Sequence, residues 1–156
     1  MQRSLNITII LDNIRSAYNV GSVLRTADCA GVIKVILCGI TPTIDHPKVV
    51  KTALGAEKTV PTQYYATLEE GINSIEKDNQ VYVLETGEDS HNLWETVIPN
   101  LPTTIIFGHE VLGVNLEATK NLPKLFIPMF GTKESLNVAN AVAIATYDLI
   151  KRWSSN

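Results

Sequence analysis

At 156 residues the chain is long enough for one domain with a real core. Its 45% hydrophobic and 19% charged residues form an ordinary globular balance that excludes a low-complexity or disordered chain. A net charge of −3 argues against a general nucleic-acid coat, which is usually basic, and leaves room for a local basic patch.

Cys29 and Cys38 are far from any CxxC spacing, and His46, His91 and His109 show no metal-ligand spacing. The expectation is a metal-free protein of the reduced cytoplasm. The stretch Met1–Asn6 has no apolar leader, and no run approaches the roughly 20 apolar residues that span a bilayer.

Leu5–Leu11 is a short apolar, β-branched run ended by Asp12-Asn13, which predicts a buried strand. From Asn19 to Gly31 the apolar residues Val20, Val23, Leu24, Ala27 and Ala30 share one helical face. Asn19 suits the N-cap and Gly31 the C-cap. Val32–Leu37 predicts a second strand, Thr67–Ile75 an amphipathic helix and Val81–Leu84 a third strand. Thr103–Phe107 and Leu125–Ile127 are further strands, ended by Gly108 and Pro128. Asn137–Trp153 is the longest predicted helix. It is apolar on more than one face, so it must bury more than one, in a deep core or at a subunit interface.

Strands alternating with helices imply an α/β fold with a mainly parallel sheet and helices on both faces. Such sheets place ligands at the carboxyl ends of their strands. Three polar segments fall there: Asp12-Asn13, Gly108-His109-Glu110 and the loop after Ile127.

Each candidate in these segments has a plain reading beside a functional one. Arg25 lies roughly opposite its helix's apolar stripe, where most arginines are simply solvated. Asn13 and Asn19 suit turns and caps. Glu110 is either a surface loop residue or an acceptor that holds a ligand or orients an arginine. Gly108 and Gly113 point to a backbone that turns tightly or lies close to something. Ser135 and Asn137 can each cap the last helix. Arg15, Arg25, Lys34, Lys48, Lys51 and Lys58 all fall between positions 15 and 58, and solvated surface is their plain reading. The sequence has no Walker A loop, no Gly-x-Gly-x-x-Gly after a strand and no Gly-x-Ser-x-Gly elbow, so kinase, GTPase, classical dehydrogenase and serine hydrolase readings fall away.

Three segments in order carry a resemblance. They are Asn19-Val-Gly-Ser-Val-Leu-Arg25-Thr-Ala-Asp-Cys-Ala-Gly31, Ile106-Phe-Gly-His-Glu110-Val-Leu-Gly113, and Ile127-Pro-Met-Phe-Gly-Thr-Lys-Glu-Ser135-Leu-Asn137. Together they resemble the motifs of the SpoU (TrmH-like) branch of the SPOUT RNA methyltransferases, and Lys51–Pro61 resembles the linker after that family's first β-α-β portion. The resemblance implies a deep C-terminal trefoil knot, an exception to the rule that chains avoid knots. It also implies a homodimer, here through the C-terminal helix, and S-adenosylmethionine as cofactor. Matching positions make Thr86, Gly108, Ile127, Met129 and Leu136 the cofactor pocket, and Arg25, Asn19, Glu110, Ser135 and Asn137 the catalytic set.

The implied reaction moves a methyl group to a ribose 2′-hydroxyl of RNA, with tRNA favoured over rRNA. The family proposal makes the arginine the base. A guanidinium is almost never deprotonated in proteins, so the other reading keeps Arg25 charged, holding a phosphate and the developing alkoxide. One methyltransferase domain over 1–156, without an appended RNA-binding domain, is expected. A non-catalytic RNA-binding or assembly protein and a base methyltransferase are the competing readings.

Overall fold

The computed structural model describes residues 5–155, so most of the leader reading at 1–6 lies outside the described residues. The strands are β1 (Ile7–Asp12), β2 (Lys34–Cys38), β3 (Thr62–Tyr65), β4 (Gln80–Leu84), β5 (Ser90–Asn92), β6 (Thr103–Phe107) and β7 (Lys124–Phe126). They form one sheet in the order β3-β2-β1-β6-β4-β7-β5, and every pairing in it is parallel. The helices are α1 (Ala17–Ala30), α2 (Pro47–Ala53), α3 (Ala56–Thr59), α4 (Leu68–Asn73), α5 (Leu116–Thr119) and α6 (Val138–Ser154).

Both faces of the sheet are covered, which is why β1 and β6 read as unbroken apolar or β-branched runs. Alternation sorts each strand's residues. Ile9, Leu11, Val35, Leu37, Ile105 and Phe107 enter the larger core with α1, α2 and α6. Ile10, Ile36, Cys38, Val83 and Ile106 enter a smaller one with Leu68 of α4 and Val114. Among the described residues no helix is long and apolar enough to cross a membrane.

Every predicted strand and helix is present, with ends shifted by a few residues. Asn19 is not the cap of α1: Ser16 is, its Oγ accepting the Asn19 N–H at 3.2 Å. The predicted N-terminus fell three residues late because Ala17 and Tyr18 extend the first turn. Gly31 does cap the other end, at φ 69°. The linker-like stretch Lys51–Pro61 holds the end of α2 and all of α3. The short elements α2, α3, α5, β3 and β5 carry too few residues to show a period.

Helix α6 is buried along Val138, Val142, Ala145, Leu149 and Trp153, and its small residues Ala139 and Ala141 are buried too. Ile144 and Tyr147 are 38% and 47% exposed, so one apolar stripe is left uncovered by the chain itself.

Candidate active site

The carboxyl ends of β4, β6 and β7 open into a cavity of about 300 Å³. The residues just past those strands supply its rim: Glu85 and Thr86 after β4, Gly108 to Glu110 after β6, Ile127 and Met129 after β7. The irregular segment that leads into α6 closes it with Glu134, Ser135 and Leu136. All five positions expected around a cofactor, Thr86, Gly108, Ile127, Met129 and Leu136, therefore line one cavity.

The loop after β6 is folded tightly on itself. His109 and Gly113 exchange backbone hydrogen bonds of 3.1 and 2.9 Å. Nδ1 of His109 accepts the N–H groups of Val111 and Leu112, each at 3.0 Å. Gly113 sits at φ 73°, a left-handed conformation, and the carboxylate of Glu85 accepts the next N–H, that of Val114, at 2.8 Å. Gly108 allows the loop to return so closely that a Cβ there would sit 2.4 Å from Val114 N and 2.5 Å from the Gly113 carbonyl carbon. Both glycines play the close-approach and turn roles expected of them.

Glu110 joins this loop to the start of α1. Its carboxylate accepts the N–H of Arg15 at 3.2 Å and of Ser16 at 3.4 Å, and the amide of Asn19 at a long 3.5 Å. Asn137 in turn donates to Asn19 Oδ1 at 3.2 Å, while its own Oδ1 accepts from Ala139 and Asn140 to cap α6. Glu110, Asn19 and Asn137 are thus one polar chain across three distant segments. Burial pushes the Glu110 carboxyl up, but hydrogen bonds from its own N–H, from Arg15 and Ser16 and from Asn19 outweigh it, and its pKa is lowered from 4.5. An acid held that low is an acceptor and a strut near neutral pH rather than a proton carrier.

Ser135 lines the cavity. Arg25 does not join the others: it is exposed on α1, and it borders neither this cavity nor a second cleft beside it. It lies six positions beyond Asn19, about 9 Å of helix rise and about 120° round the axis. Asp12 and Asn13, at the end of β1, also stay out of both cavities. Asp12 is buried, which raises its carboxyl, and it accepts the Asn115 N–H at 3.4 Å. Asn13 makes a turn at φ 52°, its Oδ1 accepting from Ile40.

Sequence reasoning missed Glu85. The signal was available, because Glu85 ends the strand Val81–Leu84 and carboxyl strand ends are where such sheets bind ligands. It also missed a second cleft beside the first, of about 420 Å³, which shares His109, Glu110 and Val111 with it.

The model of the SpoU rRNA methylase family matches residues 6–147. The chain belongs to that family. A relative from Thermus thermophilus, a tRNA (guanosine(18)-2′-O)-methyltransferase, is 31% identical over 149 residues, covering 94% of this chain and 75% of its own. A 23S rRNA (guanosine-2′-O-)-methyltransferase of Haemophilus influenzae is 26% identical over 148 residues, 94% of this chain and 60% of its own. Among solved structures, the AdoMet-bound rRNA methyltransferase from Sinorhizobium meliloti superposes with a TM-score of 0.87 at 25% identity, covering 96% of this chain and 57% of that one. The SpoU chain therefore spans about three-fifths of several relatives and three quarters of another.

Proposed function

We propose that this SpoU-family protein is an S-adenosylmethionine-dependent RNA ribose 2′-O-methyltransferase of the cytoplasm, with residues 1–156 forming one methyltransferase unit. The observation that carries the reading is the gathering of Thr86, Gly108, Ile127, Met129 and Leu136 on one cavity whose lip is Glu110. The lining suits the cofactor. Leu84, Phe107 and Ile127 offer apolar surface to a purine, and the carboxylates of Glu85 and Glu134 complement a cationic sulfonium.

Bound S-adenosylmethionine supplies the methyl group. The chain's residues bind and align. Glu110 and Asn19 fix the loop after β6 against α1, and Ser135 and Asn137 shape the rim where the acceptor ribose enters. Holding the 2′-oxygen in line with the methyl carbon is the main catalytic task. Arg25 serves as the charged clamp for a phosphate and for the developing alkoxide.

Since Arg25 borders neither cavity of its own chain, the reading brings it to the site from a second copy. The uncovered stripe of Ile144 and Tyr147 on α6 supports a homodimer packed through that helix. The segment Ile127–Asn137 is read as the threaded part of the family's trefoil knot. Between the RNA classes we favour tRNA, the substrate named for the Thermus relative, of which the chain spans 75%.

The test is transfer of labelled methyl from S-adenosylmethionine to undermodified tRNA and rRNA, followed by mass spectrometry of nucleosides, with Arg25→Ala in parallel. A 2′-O-methylnucleoside lost in the variant is expected. A methylated base would move the protein to base methylation. Failure to bind the cofactor at all would leave the non-catalytic reading standing.

A further inference from the structure

The second cleft is lined by none of the five positions read as cofactor-binding, yet it adjoins the cofactor cavity through His109, Glu110 and Val111. Its other wall is formed by the start of α1 and the approach to α2, and it carries Arg15, Tyr18, His46 and Lys48. The only carboxylate in its lining is Glu110. That charge is already engaged by the N–H groups of Arg15 and Ser16, which also removes those donors from any anion. In a chain of net charge −3 this cleft is a local cationic spot. Arg15 and Lys48 are both exposed, and neither forms an ion pair among the described residues.

Tyr18 adds an aromatic surface. It is 43% exposed, and Lys48 Nζ lies 5.6 Å from its ring centroid. Lys48 sits over that ring on a flexible stem, so a nucleotide unstacked from its neighbours can draw the ammonium onto its phosphate and take the ring face. The ring takes the base and the cations take the phosphate.

We infer that this cleft is the seat of a single-stranded RNA nucleotide, its base on Tyr18 and its phosphate between Arg15 and Lys48, set so that the acceptor ribose reaches over Glu110 into the cofactor cavity. The inference rests on the methyltransferase reading, but its contacts are separate from the cofactor's. Tyr18, Arg15 and Lys48 become specificity and positioning groups for RNA. An acceptor held in a paired duplex is a poor substrate, because its base is not free to enter the cleft.

The test uses the full chain and two ligands measured separately. The first is a mixed-sequence single-stranded RNA of twelve nucleotides, followed by fluorescence anisotropy over a range of salt. The second is S-adenosylhomocysteine, followed by calorimetry. Tyr18→Ala, Lys48→Gln and Arg15→Gln replace exposed side chains, and a thermal melt followed by circular dichroism reports whether each variant stays folded. The expectation is about tenfold weaker RNA binding in Tyr18→Ala, with the product bound as in wild type. Lys48→Gln and Arg15→Gln should each flatten the slope of log K against log salt by about 0.7, the value for one lost single-strand phosphate contact.

In steady state, KM for RNA should rise more than kcat falls. Unchanged RNA affinity and salt slope in all three variants, with the product still bound, would overturn the cleft and leave the methyltransferase reading intact. So would undetectable binding of the twelve-nucleotide RNA by wild type at low salt. Parallel loss of product binding in the variants would overturn a separate RNA seat. Failure of wild type itself to bind the product would count against the methyltransferase reading instead.

Discussion

Replacing Gly108 with alanine should separate the loop after β6 from the strand that carries it. The new Cβ would lie 2.4 Å from Val114 N, 2.5 Å from Gly113 C and 2.6 Å from Val114 Cα, where ordinary contact begins at 3.4 Å. All three are backbone atoms, so no rotamer change relieves the clash. The return strand must move by about 1 Å, the shortfall between 2.4 and 3.4 Å. The Val114 N–H to Glu85 bond, now 2.8 Å, would stretch toward about 3.8 Å and cease to be one. Overpacking costs about 1–3 kcal/mol. A lost bond to a charged acceptor costs about 1.5–3 kcal/mol. The two overlap, because the movement that breaks the bond relieves the clash, so the expected loss is about 2–4 kcal/mol.

For a chain of this size that loss lowers the melting temperature by about 5–15 °C. Calorimetric melting measures the first effect, and titration with S-adenosylhomocysteine measures the second, at least about tenfold weaker binding as the cavity rim shifts. Gly131→Ala is the control, since a Cβ there meets nothing within 4 Å. A Gly108→Ala protein that melts within about 1 °C of wild type and binds the product equally well would refute the close-approach argument.

Asn137→Ala removes the cap of α6 and the link to Asn19. It should cost about 1 kcal/mol, or about 2–4 °C of melting temperature, and an unchanged melt would deny the cap its role. Glu110→Gln tests the sign of the carboxylate's contribution. Its folded pKa is lowered from 4.5, so the stabilisation is complete above that value and is lost as pH falls through the folded value. The gap between the wild-type and Glu110→Gln melting temperatures should be flat near neutral pH and shrink toward acid; a gap that widens toward acid would contradict the assignment. Mixing Arg25→Ala with Glu110→Ala protomers tests the shared site. Random pairing of two inactive chains should restore about a quarter of wild-type activity if Arg25 acts across a two-fold interface, and none if it acts within its own chain. Tyr147→Asp on α6 should shift sedimentation toward the monomer, and an unaltered dimer would place the interface elsewhere.

Where apolar pattern was long, the sequence was readable. β1, β6 and α6 announce themselves because burial on both sides demands unbroken apolar or β-branched runs, and β1, β2, β4, β6 and β7 all fall where the pattern placed them. β5 and β3 were hidden because Ser90–Asn92 and Thr62–Tyr65 lie at the sheet's edges, half-buried and polar. The cavity lining was legible through family motifs rather than through periodicity. Asn19 was misread as a cap because capping residues are interchangeable on paper, and Ser16 stands three positions earlier. Its actual partners, Glu110 and Asn137, lie 91 and 118 positions away, a relation no local pattern encodes. The cationic cleft was invisible for the same reason: Arg15, Tyr18 and Lys48 are ordinary surface residues until α1 and α2 pack side by side.

The polar chain from Glu110 through Asn19 to Asn137 also has a consequence for the order in which the molecule is made. Its hydrogen bonds close loops of roughly a hundred residues, as the pairing of β1 with β6 does. β1, α1 and β2 can form locally as soon as they exist, and they gain nothing from these bonds. The polar chain is therefore complete only when α6 has docked on α1. Without α6 the bonds from Arg15, Ser16 and Asn19 to Glu110 would have no continuation, because the Asn137 end of the chain sits at the start of that helix.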